Sequence, residues 1–221
     1  MRRLSLTFDN GPVVGVTDRV LDMLDAHGAP ATFFVIASRL RDPQLMALAA
    51  QTRTRGHRIG NHTLTHSAMF GDIDDPAFAA QEIHEAQRLI GDLSDEDLLF
   101  RPTGKGGHLG PRLLSQDAVS ALAAGQHTLV LWNSVPRDWE QQDSWPDAAL
   151  ASLEDSEWTV LVLHDTTSAI DELPRFLREV ERLGIELRTD FPDDCVPMRR
   201  GRLEGDITSL VQDANGEEHP R

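Results

Sequence analysis

The sequence predicts an α/β fold, a barrel of parallel strands closed or nearly closed, with helices on its outer side. Two observations carry that expectation. Apolar, β-prone runs alternate with helical runs seven times between Leu4 and Arg188, the order that produces parallel strands joined by helical crossovers. The strand-like runs are mostly continuous in apolar residues and not alternating, as in strands covered by helices. Length and composition fit one such domain, because 221 residues at 40% hydrophobic content can bury a full core.

Leu4 to Asp9 is a short apolar run that stops at the turn signal Asn10-Gly11-Pro12, and it reads as the first strand. Thr17 is placed to cap a helix with Val20, Leu21 and Leu24 at helical spacing, ended by Gly28. Ala31 to Ala37 reads as a buried second strand, Pro43 to Thr54 as a helix stopped by Gly56, and His57 to Gly60 as a short third strand. After a polar loop, Asp75 caps a helix that begins at Pro76 and buries Phe78, Ile83, Ala86, Leu89 and Ile90. Leu98 to Pro102 is the fourth strand, followed by the glycine-rich Gly104 to Gly110 and a helix opened by Pro111 and running to about Ala124. Thr128 to Trp132 is the fifth strand. A long loop through Pro136, Asp138, Trp139 and Trp145 leads to a helix from Pro146 to Leu153. Trp158 to Leu163 is the sixth strand, Leu173 to Leu183 a helix, and Ile185 to Arg188 the seventh strand. From Phe191 the pattern fails, and Asp213 to Arg221 has the composition of a disordered tail.

Polar residues gather at the strand ends. Asp9 and Asn10 end the first strand, His62 follows the third, Arg101 ends the fourth, Asn133 and Ser134 the fifth, His164 and Asp165 the sixth. In a parallel barrel these ends converge on one mouth, where active sites lie. His62 and His66 are four residues apart, so one helical turn there puts both rings on one face, able to hold a divalent ion. Trp132 reads as core, and Trp139 and Trp145 as core or as a sugar-stacking wall. His27, His57, His84, His108, His127 and His219 read as surface or structural.

Composition narrows the partners. The formal charge of −15 repels nucleic acid, anionic lipid and acidic polymers. The single cysteine, Cys195, excludes an internal disulfide. The chain opens directly into a strand-like run without a charged leader and apolar segment, and no stretch is long enough to span a membrane, so a cytoplasmic protein is expected.

Five motifs in order carry a family resemblance. Thr7-Phe8-Asp9-Asn10-Gly11-Pro12 resembles the TFDDGP motif of the polysaccharide deacetylase family (NodB homology, carbohydrate esterase family 4), and His62-Thr63-Leu64-Thr65-His66 resembles its HTxxH zinc motif. Arg101-Pro102, Arg137-Asp138-Trp139 and Val162-Leu163-His164 resemble its arginine, aspartate-tryptophan and histidine motifs. The match spans about residues 4 to 189. It implies a distorted (β/α)7 barrel that removes N-acetyl groups from an amino sugar, with residues 1–200 as one catalytic domain and 201–221 as a partly disordered tail. It implies a divalent metal, zinc by the family's habit, held by His62, His66 and Asn10. Asp9 is then the general base, Arg101 its positioner, His164 the acid that protonates the leaving amine, and Asp138 the holder of that ring. Trp139, Thr103 and Gly104 are the implied substrate contacts.

Two positions depart from the family pattern. Asn10 stands where the family has its ligand aspartate, and a neutral amide oxygen binds zinc more weakly than a carboxylate. Thr103 follows Arg101-Pro102 where the family has a tyrosine whose backbone N–H binds the oxyanion; the glycines of 104–107 are the alternative donors. These departures keep two other readings open: a metal-independent or weakly metal-dependent hydrolase of another linear or cyclic amide, and a non-catalytic relic that binds saccharide.

Overall fold

Among the residues described, 1–140 and 143–212, nine strands form one sheet in the computed structural model. Six are staves in the order β6-β1-β2-β3-β4-β5, all parallel: β1 (Arg3–Gly11), β2 (Thr32–Val35), β3 (Arg58–Asn61), β4 (Leu99–Phe100), β5 (Thr128–Leu129) and β6 (Trp158–His164). The seventh parallel strand, β7 (Glu186–Arg188), pairs with Arg3 to Ser5 of β1, on the flank that β2 joins only from Thr7. β8 (Met198–Arg199) and β9 (Arg202–Leu203) form an antiparallel hairpin on β5.

Closure between β5 and β6 is one bridge wide, Ser134 to Leu161. Asn133 extends it with its side chain: Nδ2 donates to the Trp158 carbonyl at 2.9 Å and Oδ1 accepts from Val160 N–H at 2.7 Å. The polar end of the fifth strand therefore closes the barrel.

Alternation decides what each face touches. Leu4, Leu6 and Phe8 of β1, Phe33 and Val35 of β2, and Leu161 and Leu163 of β6 share a buried cluster with α1 (Thr17–Ala26), α2 (Pro43–Thr54) and α7 (Thr167–Arg182). The opposite face of β1 carries Ser5, Thr7 and Asp9, all buried inside the barrel. Both faces are covered, so β2 and β6 read as nearly unbroken apolar runs, whereas β1 alternates because its inner face carries the polar residues below the cleft.

Several element boundaries differ from expectation for local reasons. Thr17 does not cap α1; its hydroxyl donates to Asp165 at 2.6 Å and accepts from Val13 N–H. The helix after Asp75 is α3 (Pro76–Ala80), a π turn over Gln81–Glu85, and α4 (Ala86–Ile90). Pro111 opens only a turn, and α5 (Gln116–Ala124) starts behind its cap Ser115. After α6 (Trp145–Asp155), α7 starts at Thr167, six residues before the expected Leu173, with Pro174 inside it. The expected tail from residue 201 begins within the β8–β9 hairpin. Up to residue 212 the chain stays anchored to the core through Ile207 and Leu210, both buried, and Val211, bridged to Leu114. Asp213 to Arg221, including His219, lie outside the described residues. Among the described residues no helix is long and apolar enough to cross a membrane.

Candidate active site

The carboxyl ends of the strands surround a cleft of about 390 Å³ lined by Asp9, Asn10, His62, His66, Trp139 and His164, with Pro102, Gly104, Gly106, Gly107 and Trp132 along one wall. Its centre is set by register, because Asp9 and His164 are paired neighbours on adjacent parallel strands.

Asp9 is held from below by Arg101, a side chain with 0% exposure. The guanidinium lies 4.0 Å from the centre of the Phe34 ring, and its Nη1 donates to Thr7 Oγ1 at 2.7 Å and to Asp9 Oδ1 at 2.9 Å. One carboxylate oxygen is thereby tied, and the other, Oδ2, faces His62 Nε2 at 3.6 Å. Burial opposes ionisation of Asp9, but the positive charge of Arg101, assisted by His62 and His164, outweighs it and holds the carboxyl below its ordinary value.

His62 and His66 meet with ring centres 4.7 Å apart. The expected helical turn is absent. The chain from His62 to His66 is irregular, with Thr63 and His66 in the left-handed region at φ 64° and 56°. Nδ1 of His62 donates to the Arg101 carbonyl at 2.9 Å, which leaves Nε2 as the lone pair turned to the cleft. Burial lowers the pKa of His62 to about 4, against the pull of Asp9, and also lowers that of His66. Both shifts favour the neutral ring, the form that binds a metal.

On the other side, Asp138 fixes His164. Its Oδ1 accepts from His164 Nδ1–H at 2.8 Å and its Oδ2 from the His164 backbone N–H at 2.9 Å. Burial disfavours the imidazolium, yet the hydrogen bond and charge of Asp138, with Asp9 behind them, raise the His164 pKa. Trp139 packs edge-on against this ring at 4.8 Å.

A divalent cation is implied by the motifs, and the donors present fit one. Asn10, left-handed at φ 71°, lines the cleft, and its buried Oδ1 has no hydrogen-bond partner among the described residues. Among the described residues no three His, Cys, Asp or Glu side chains gather as ligands; the set is two imidazoles and one orphaned amide oxygen.

Gly104 lines the cleft because only a glycine fits under Trp132, whose ring a Cβ would meet at 2.9 Å. Thr103 is not a lining residue; it is buried, with its hydroxyl unpartnered. Trp145 is core, fully buried against Phe176. Two buried acids have no role in the sequence reading, which names Asp165 as a strand end beside His164 and does not name Glu82. Asp165, pushed up to about 7 by burial, sits against Gly11, where a Cβ would meet its Oδ2 at 2.0 Å. Glu82, on the π turn, accepts from Thr65 N–H and Oγ1–H at 2.9 and 2.7 Å. The sequence signal for Asp165 was its place beside His164; Glu82 had none.

The polysaccharide deacetylase family profile matches residues 1–108. A chitooligosaccharide deacetylase from Sinorhizobium fredii is 35% identical over 168 residues, covering 72% of this chain and 70% of that one. A peptidoglycan-N-acetylglucosamine deacetylase from Bacillus cereus is 29% identical over 194 residues, covering 84% and 85%. Among solved structures, a family 4 acetyl xylan esterase from Clostridium thermocellum, in complex with a cobalt ion, superposes with a TM-score of 0.69 at 25% identity, covering 85% of this chain and 87% of that one. With five motifs in order around one cleft and relatives of this identity and coverage, the chain belongs to the polysaccharide deacetylase family, the carbohydrate esterase family 4 hydrolases.

Proposed function

We propose that the protein hydrolyses N-acetyl groups from an amino-sugar saccharide, with a zinc-class divalent cation at His62, His66 and Asn10. The observation that carries this reading is the pairing across one cleft of an ionised Asp9 and a His164 biased towards its protonated form. An amide needs a base on one side and an acid on the other, because both its carbonyl and its leaving group are poor.

When bound, the cation supplies Lewis-acid polarisation of the acetamide carbonyl and makes water more acidic. Asp9 takes the proton of the attacking water on Oδ2, while Arg101 keeps Oδ1 occupied and the carboxylate fixed. As the C–N bond breaks, His164 gives the proton on Nε2 to the departing amine, and Asp138 steadies the ring through Nδ1. The products are acetate and a free amino sugar. Gly104, Gly106 and Gly107 line the cleft, so their backbone N–H groups take the place of the family's tyrosine N–H. Trp139 supplies an apolar wall for the sugar ring. The net charge of −15 favours a neutral or cationic saccharide over an acidic one.

The test is acetate release from N-acetylglucosamine oligomers by metal-loaded protein. Wild type should turn over, and His164→Ala should lose roughly 10²-fold to 10⁴-fold in kcat. Equal inertness of both on every acylated sugar, or equal activity of both, overturns the reading.

A further inference from the structure

The segment carrying the two imidazoles has no regular hydrogen-bond ladder of its own, so its shape depends on ties from elsewhere. Its first half is tied to the main chain ahead of α2. The N–H groups of Ala37 and Ser38 donate to the carbonyls of Thr63 and Leu64 at 3.0 and 2.9 Å. Within this half, Asn61 Oδ1 accepts from Thr63 N–H at 2.9 Å, and its Nδ2 donates to the Ile83 carbonyl at 3.1 Å. Its second half, Thr65-His66, is held differently. His66 N–H donates to Thr63 Oγ1 at 3.0 Å, and the only tie from another element among the described residues is the Glu82 carboxylate, which takes both donors of Thr65.

Glu82 has 4% exposure, whereas Thr65 is exposed. No cationic side chain pairs with Glu82 among the described residues, so its hydrogen bonds to Thr65 are what compensate the burial of a carboxylate. The π turn on which it sits is a departure from α geometry of the kind often found at functional sites. A carboxylate that fixes main chain and side chain of one residue together also fixes the backbone angle of the next, and the next is His66 in its left-handed conformation.

Resting on the metal-assisted reading above, we propose that Glu82 is a positioning residue for the cation site: through Thr65 it sets the direction in which His66 faces His62. It touches neither ligand ring. Groups that orient metal ligands from behind typically change metal affinity by about 10-fold to 100-fold.

The experiment is calorimetric titration of metal-stripped full chain with Zn²⁺, together with the visible spectrum of the Co²⁺ form, which reports ligand geometry and not stability. Glu82→Ala should weaken Zn²⁺ binding by about 10-fold to 100-fold and alter the Co²⁺ bands. Glu82→Gln, which keeps one acceptor oxygen, should lie between Glu82→Ala and wild type. Thr65→Val removes the hydroxyl tie to Glu82, together with the local contact to Ser67 Oγ, and keeps the main-chain tie; it should lower the melting of the metal-free protein slightly, weaken Zn²⁺ binding to a smaller degree than Glu82→Ala, and alter the Co²⁺ bands. This surface variant decides the matter if Glu82→Ala fails to fold. Wild-type binding that is lost in His62→Ala yet unchanged, with unchanged Co²⁺ bands, in Thr65→Val and Glu82→Gln overturns the clamp and spares the metal reading. Absence of wild-type binding, or binding that survives His62→Ala, overturns both.

Discussion

Asn10 is one of two positions at which this chain departs from the family motifs, and among the described residues its buried Oδ1 has no hydrogen-bond partner. An amide oxygen carries no charge. Asn10→Asp should therefore raise Zn²⁺ affinity by about 10-fold or more, read by competition against a chelator of known strength; unchanged affinity would put residue 10 outside the coordination sphere. The acid and base also make a pH statement. Asp9 has a lowered pKa, so its basic form is lost only as pH falls below the usual carboxylate range. His164 has a raised pKa, so its acidic form survives above 6.5 and is lost as pH rises through the shifted value. Activity should form a plateau between these limits. Asp138→Asn removes the hydrogen-bonded charge that raises His164, so the alkaline limb of kcat/KM should move to lower pH, with kcat down roughly 10²-fold; an unmoved limb would free His164 from that assignment. Asp9, Asn10, Arg101 and His164 were legible because they end strands and strand ends meet at one mouth, whereas His66, Asp138 and Trp139 lie in irregular chain and were found through the motifs they belong to. Glu82 was not, because an acid beside the stripe of Phe78, Ile83 and Ala86 reads as a solvated flank, and the π turn that buries it has no composition of its own.

At the level of elements, β3 shows how the sheet presets the site. Gly60 pairs with Phe34, and a Cβ there would meet the Phe34 ring at 2.5 Å. That ring carries the Arg101 guanidinium, which carries Asp9. Gly60→Ala should thus cost about 1–3 kcal/mol in denaturant unfolding and lower kcat as well, although residue 60 does not line the cleft; full activity in a destabilised variant would disconnect Phe34 from the base. β4 and β5 were legible although two residues long, because they fall in the strand–helix alternation. β8 and β9 are equally short but form an antiparallel hairpin outside that alternation, so the end of the chain looked structureless. For α7 the proline misled. Pro174 reads as a helix start, but Ile170, Leu173, Phe176, Leu177 and Val180 form one buried stripe, and their packing carries the helix through it.

The whole molecule is a barrel with a narrow seam and a mixed population of buried ionisable groups. His127, beside Phe100 and outside the motifs, is buried and has its pKa lowered to about 4 by loss of solvent. The unfolded chain takes up this proton near 6.5 and the folded one does not until about 4, so stability from this group is full above 6.5 and is lost as pH falls through that window. The slope is at most about 1.4 kcal/mol per pH unit for one proton. His127→Gln should flatten the fall of unfolding free energy between pH 6.5 and 5 by about 1.5 kcal/mol, read from urea melts at both values; an identical fall would mean that His127 is protonated in the fold.

The ion pair of Asp9 and Arg101 lies wholly inside this barrel. Deleting the carboxylate strands a guanidinium without its counter-ion, a loss of about 3–5 kcal/mol in a molecule whose entire margin is about 5–15 kcal/mol. Dead enzyme after a change at residue 9 therefore combines a missing proton acceptor with missing folded chains. Neutralising both ends at once, as Asp9→Asn with Arg101→Met, should restore the melting temperature while turnover stays absent, and the difference between the two variants measures how much of the defect was architecture and how much was chemistry.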